Sequence, residues 1–147
     1  LLLSAMALGS VAGGLLGERV ARRLGAGPAI VAAYAIFAAA DAVPGLLPRV
    51  AAVAASGVVM SVAGTVWNVV TVSLRQRLIP PELFGRVNSV YRFLGTGTMA
   101  LGAVLGGLVA HRFGLRATYL VSAATISVAL AAGARTLLRD AGVGATA

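Results

Sequence analysis

Five long stretches of this chain carry no charged residue, and they constrain its fold more than any other feature. They cover residues 1–17, 24–40, 50–74, 93–110 and 117–134. Each is about 17–25 residues long, the length of an α-helix that crosses a hydrocarbon layer of roughly 30 Å. The pattern therefore predicts an all-α fold, a polytopic bundle of transmembrane helices.

The composition supports a membrane protein over a soluble domain. Of the 147 residues, 59% are hydrophobic and only 11% are charged, whereas a soluble globular domain has about 25% charged residues. A soluble core of this size needs a polar shell, and this sequence does not supply one.

The charged residues argue against nucleic-acid binding, enzymes and metal sites. The net charge is +8, but the twelve basic residues, all arginine, punctuate apolar spans instead of gathering with aromatic neighbours on one solvated face. The chain has no cysteine, one histidine and four acids, which excludes disulfides and leaves little for a metal cluster. We expect no cofactor and no enzymatic activity.

Proline and glycine signals mark the ends of the predicted helices. Pro28 and Pro81 suit first-turn positions, and Pro44-Gly45 is a stop signal. Because the chain opens on an apolar L-L-L-S-A-M, we expect Leu1 to lie inside a helix and the chain to be a fragment. The predicted helices cover about 1–17, 28–43, 48–74, 81–110 and 116–139, and residues 140–147 form a tail.

The distribution of arginine predicts the orientation. Loops on the cytoplasmic side of a membrane are enriched in basic residues. If the N-terminus lies outside, eight arginines fall in inner loops and three in outer loops. The inner ones are Arg19, Arg22, Arg23, Arg75, Arg77, Arg86, Arg135 and Arg139; the outer ones are Arg49, Arg112 and Arg116. We predict a multi-pass cell (inner) membrane protein with an outer N-terminus and a cytoplasmic C-terminus.

Two segments of similar outline point to a transporter. Residues 14–23 read G-L-L-G-E-R-V-A-R-R and residues 107–116 read G-L-V-A-H-R-F-G-L-R. Three predicted spans separate them, so they lie on opposite faces of the membrane. An inverted-topology repeat of this kind is typical of secondary transporters.

The first of these segments resembles the signature loop of the major facilitator superfamily, G-x-L-x-[D/E]-R-x-G-R-R. Ala21 stands where that family usually has glycine. Residues 75–87, R-Q-R-L-I-P-P-E-L-F-G-R-V, resemble the family's loop between its tenth and eleventh helices. The residues that fit the first loop are Gly14, Leu16, Glu18, Arg19, Arg22 and Arg23.

By this resemblance the chain is similar to helices eight to twelve of a twelve-helix transporter. The sequence of residues 75–87 resembles the branch that includes enterobactin and macrolide exporters. The resemblance implies proton-coupled export of a hydrophobic or amphipathic small molecule by alternating access. The partners it implies are the lipid bilayer, the substrate and the N-terminal half of the same transporter. The alternative is a small non-transporting membrane protein that acts as an assembly partner, because five helices lack the first half of a transport pathway.

Glycine stripes predict where helices pack. Lipid provides no hydrophobic drive for helix pairing, so small residues that allow close approach hold membrane helices together. The alternative is that these are ordinary glycines of membrane helices. The stripes are Gly9, Gly13 and Gly17 in the first predicted helix and Gly95, Gly102 and Gly106 in the fourth.

Four residues within or beside the spans are candidates for function. Asn68 either hydrogen-bonds substrate in a central cavity or bonds a neighbouring helix, since a polar side chain in a span needs protein or water. Trp67 is either an interface anchor or a cavity wall. Arg92 either extends to the cytoplasmic surface or contacts an anionic group at the cavity mouth. Asp41 is either an outer-interface residue or a proton-carrying carboxylate, because burial disfavours the charged form of a carboxyl group.

The charged group Glu18, Arg19, Arg22 and Arg23 also has two interpretations. The arginines are a topology signal that stays in the cytoplasm. Alternatively, the group is a gate loop that bonds the opposite half of the transporter in one conformation only, as the family resemblance implies.

Overall fold

A computed structural model describes residues 2–47 and 49–143, and these residues form five α-helices. They are α1 (Leu2–Leu24), α2 (Ala26–Leu46), α3 (Val50–Leu78), α4 (Pro81–Phe113) and α5 (Leu115–Val143). The predicted all-α fold is confirmed.

Four of these helices have the length and hydropathy needed to cross a membrane. They are α2, α3, α4 and the Leu115–Thr136 part of α5. Helix α1 is not among them, because the charged residues of its last two turns lower its mean hydropathy.

The helices extend beyond the ends predicted for several of the spans. Helix α1 continues to Leu24, and α3 to Leu78. The predictions ended each span near its last uncharged residue. A charged side chain leaves the hydrocarbon there, but the backbone hydrogen bonds of a helix continue unchanged. Pro44 was predicted as part of a stop, yet it lies inside α2. Proline removes one i→i−4 hydrogen bond here, and the helix ends two residues later at Leu46.

Two glycines join consecutive helices with a single residue. Gly25 separates α1 from α2 with φ 78°, and Gly114 separates α4 from α5 with φ 83°. This backbone region is readily adopted only by glycine. In both places the helix ends in arginine and an apolar residue before this glycine. Gly25 lies beyond residues 14–23, however, and the sequence match of 14–23 with 107–116 pairs Gly114 with Ala21, so the structure does not share the register of that match.

Small residues form the interior of the bundle. Helix α2 packs on α5 and on α3, α1 packs on α3, and α4 contacts mainly α5. Close approach of backbones is how membrane helices associate, and the buried apolar residues are all small. They are Ala29, Ala33, Ala40, Ala63, Val70 and Ala123. No residue of α4 is buried, so this helix keeps most of its surface free in the described part of the chain.

Candidate functional site

The glycine stripe of α1 lies directly against α3. Gly9, Gly13 and Gly17 are buried. A Cβ atom at Gly13 would lie 2.6 Å from the carbonyl oxygen of Val62, and one at Gly17 would lie 2.9 Å from the Cβ of Val69. The partner on α3 moves from Val62 to Val69 as the glycine moves from Gly13 to Gly17, so α1 and α3 run parallel. This is the close contact that the stripe predicts.

The glycine stripe of α4 has a different environment. A Cβ atom at Gly95 or Gly102 would have no atom of the described chain within 4 Å, and one at Gly106 would lie 3.6 Å from the methyl group of Thr118. The packing role of Gly95 and Gly102 therefore stays a prediction, since no described residue lies against them. The reason is that α4 reaches α5 only near its C-terminal end.

A polar groove runs between α1 and α3, in the middle of α3. It has a volume of about 330 Å³ and is lined by uncharged residues: Ser10, Met60, Ser61, Gly64, Thr65, Asn68 and Val69. The hydroxyl oxygens of Ser10 and Ser61 lie 2.7 Å apart, and the Ser61 hydroxyl donates to the carbonyl of Met6 at 2.6 Å. Polar side chains at this level face water or protein instead of lipid.

Trp67 and Asn68 point in different directions. The Trp67 ring is half-buried and meets the ring of Tyr34 on α2 edge to face, with centroids 6.5 Å apart. Asn68 is exposed in the groove. Adjacent residues of a helix face sides about 100° apart, so the Trp67 indole meets α2 while Asn68 faces the groove. The interpretation of Trp67 as a cavity wall stays a prediction.

Arg75 makes the polar contact between α3 and α4. Its guanidinium carbon lies 4.0 Å from the centroid of the Tyr91 ring, and it donates a hydrogen bond to Asn88 at 3.3 Å. Stacking of this kind is worth roughly 0.5–2 kcal/mol. Arg92, the predicted candidate, is exposed on α4.

Asp41 is buried between α2 and α5. The carboxylate is 8% exposed and accepts a 2.5 Å hydrogen bond from the hydroxyl of Ser122. The structure adds that the side chain packs against α5 near the end of α2; its two interpretations, an outer-interface residue and a proton-carrying carboxylate, both stay predictions. The same interface continues to Gly45 and Leu46, whose carbonyls accept hydrogen bonds from Arg116 at 3.1 and 3.4 Å.

The predicted gate loop is helical. Glu18, Arg19, Arg22 and Arg23 occupy the last two turns of α1 and are exposed. Glu18 pairs with Arg22 at 3.3 Å across one turn. An exposed pair at this spacing contributes little to stability.

These charged turns border a cleft of about 520 Å³ where α1 ends, α2 begins and α3 ends. The end of α3 supplies Ser73, Leu74 and Arg77 to its lining. The charged residues of α1 thus lie beside neighbouring helices of the same bundle.

The family assignment rests on a match that covers almost the whole sequence. The model of the Major Facilitator Superfamily matches residues 1–145. The chain belongs to the major facilitator superfamily. Membership makes it a multi-pass membrane protein of a family of secondary transporters, and not of an enzyme family. No curated protein and no solved structure matches the chain.

Several residues of this major facilitator chain escaped the sequence analysis. Ser10, Ser61 and Ser122 acquire roles only through partners far along the chain, such as Asp41, 81 residues from Ser122. Arg75 was noted as a topology signal and as part of the loop 75–87, and its contact with Tyr91 was not predicted. A periodicity check would have found part of this, because Ser61, Thr65 and Asn68 recur at helical spacing on one face of α3.

Proposed function

We propose that the chain supplies five helices to a secondary transporter that exports a hydrophobic or amphipathic small molecule in exchange for protons. The observation that carries this proposal is the uncharged polar groove between α1 and α3. Hydroxyl and amide groups halfway along membrane helices find no hydrogen-bond partners in lipid. In a water-filled pathway they can hydrogen-bond a substrate.

The proposed mechanism is alternating access, in which two halves rock around a central site. The N-terminal half implied by the family would face the groove and the free surface of α4. Export by the branch that includes enterobactin and macrolide exporters is consistent with the wording of residues 75–87. In the proposed orientation the ends of α1 and α3 are cytoplasmic.

Two further roles belong to the proposal. Asp41 would carry the coupling proton, since it is the buried carboxylate of the described residues. Glu18 would contact the opposite half when the cytoplasmic side is closed, because its 74% exposed side chain is free to accept charge-assisted hydrogen bonds.

The second candidate function is an assembly partner that does not transport. It is favoured by α4, which has no buried residue and offers a long surface to another membrane protein. The two functions differ in whether the groove of α1 and α3 carries substrate.

The gate gives the first testable prediction. Replacing Glu18 with glutamine should favour the state that is open to the cytoplasm and slow transport, because it weakens a contact made only in the closed state. An exposed charged contact is worth about 1 kcal/mol or less, so the population shift is about fivefold at most. The readouts are export of a fluorescent amphipathic dye and the thiol reactivity of a single cysteine at Leu78, which is exposed at the end of α3.

Glu82→Gln is the matched control, since Glu82 is exposed in the first turn of α4 at the same end of the bundle. The control should change neither readout. The gate idea fails if Glu18→Gln behaves like Glu82→Gln. The Leu78 cysteine also reports orientation: labelling by an impermeant reagent in intact cells would place the end of α3 outside and contradict the proposed topology.

A further inference from the structure

The cleft at the end of α1 has the lining of a site for an amphipathic anion. Arg22 and Arg77 bring guanidinium groups to it from α1 and α3, and Ser73 adds a hydroxyl. Apolar side chains, among them Ala21, Val70 and Leu74, line much of the rest. A volume of about 520 Å³ is large enough for a phosphate group together with the first carbons of an attached chain.

The charge of the cleft favours an anion. Glu18 is the acid in its lining, and its pairing with Arg22 at 3.3 Å leaves both side chains largely exposed. Arg77 is exposed as well. Arg19 and Arg23, on the same two turns of α1, add positive charge around the opening. An arriving phosphate therefore meets more positive than negative charge and finds guanidinium groups suited to bidentate binding.

The cleft lies at the level where the uncharged runs end. The first run stops at Gly17, before Glu18, and the third stops at Leu74, before Arg75. In a membrane this level is the boundary between the hydrocarbon core and the headgroups. Basic pockets between transmembrane helices at this boundary are suited to anionic headgroups.

We propose that this cleft binds the phosphate of an anionic phospholipid. Arg22 and Arg77 would hold the phosphate, and the apolar side chains would contact the upper part of the acyl chains. A free phosphate ion can also bind the two arginines, but it has no acyl chain to contact Val70 and Leu74 and should therefore bind more weakly. The proposal concerns binding alone and does not depend on transport, so its outcome is separate from that of the proposed function.

The test measures lipid binding to the purified protein by native mass spectrometry. Phosphatidylglycerol, phosphatidylcholine and inorganic phosphate are titrated separately, the last as a competitor of the first. Arg22→Gln and Arg77→Gln should each weaken binding of phosphatidylglycerol about fivefold, the factor that corresponds to about 1 kcal/mol per basic residue near a membrane surface. Phosphatidylcholine should bind more weakly than phosphatidylglycerol.

The matched control is the pair Arg49→Gln and Arg112→Gln, two exposed arginines at the opposite end of the bundle. The pair removes two positive charges, one more than either single variant, and should still leave the binding unchanged. Equal weakening by the control pair, equal binding of phosphatidylcholine, or competition by inorganic phosphate at the lipid's own concentration would each overturn the proposal. The arginines of the cleft are exposed, so the variants should fold, and their unfolding midpoint in SDS should equal that of the wild type.

Discussion

Replacing Gly13 with alanine should destabilise the bundle more than any other single-methyl change in α1. The added Cβ would lie 2.6 Å from the carbonyl oxygen of Val62 and 2.8 Å from the Cβ of Thr65. Both atoms belong to the body of α3, so the helices must move apart. Overpacking of this kind costs typically 1–3 kcal/mol, and here it also widens the groove. The measurement is the equilibrium unfolding of the purified protein in SDS mixed micelles.

Gly14→Ala is the matched control for this prediction. A Cβ at Gly14 would have only the methyl group of Thr65 as a neighbour, at 4.0 Å, and alanine favours helix over glycine by about 1 kcal/mol. The control should therefore unfold at the same or a higher fraction of SDS than the wild type. If Gly13→Ala and Gly14→Ala unfold at the same fraction of SDS, the close contact of α1 with α3 is wrong.

The second large effect is expected at Asp41. Asp41→Asn keeps the size of the side chain and an oxygen that accepts the hydrogen bond of Ser122, but it cannot carry a proton. If Asp41 carries the coupling proton as proposed, dye export driven by a proton gradient should fall by about tenfold or more, because asparagine cannot take up and release that proton. Exchange of dye across the membrane without a gradient should persist, because the substrate pathway is untouched. Both rates are measured in proteoliposomes.

Ser122→Ala separates the proton role from a structural one. It removes the 2.5 Å hydrogen bond and leaves the carboxylate, at a cost in stability of roughly 1–3 kcal/mol for the acceptor left without a partner. The Ser122→Ala protein that remains folded should still export dye when a proton gradient is applied. If Asp41→Asn exports as well as the wild type while Ser122→Ala fails to fold, Asp41 is only a structural residue.

The sequence predicted the number of helices and one packed face, and the physical reason is local. Uncharged length decides whether a helix can cross a membrane, and the four-residue spacing of Gly9, Gly13 and Gly17 defines one face of a helix. The charged turns after Gly17 were wrongly assigned to a loop. Charge reports where a helix leaves the hydrocarbon, and not where its backbone hydrogen bonds end.

The contacts between distant helices could not be predicted in the same way. The pairing of Asp41 with Ser122, of Arg75 with Tyr91 and of Arg116 with the end of α2 depends on the rotation of each helix about its axis. That rotation is set by packing across the whole bundle. The glycine stripe of α4 has the same limit, because a stripe on one helix does not say which helix it meets, and its packing role stays a prediction.

The most direct test of the account is the reactivity of a single cysteine at Asn68. The chain has no native cysteine, and Asn68 lies exposed in the groove that is proposed to face the substrate pathway. Val128, 70% exposed in the middle of α5, is the comparison site facing away from the groove. In the protein reconstituted in liposomes, Asn68→Cys should react with a water-soluble thiol reagent at least about tenfold faster than Val128→Cys, because thiols react as thiolates where water reaches them. The reaction should also stop dye export. Equal rates at the two positions, or unchanged export after full labelling of Asn68→Cys, would contradict a transport pathway along α1 and α3.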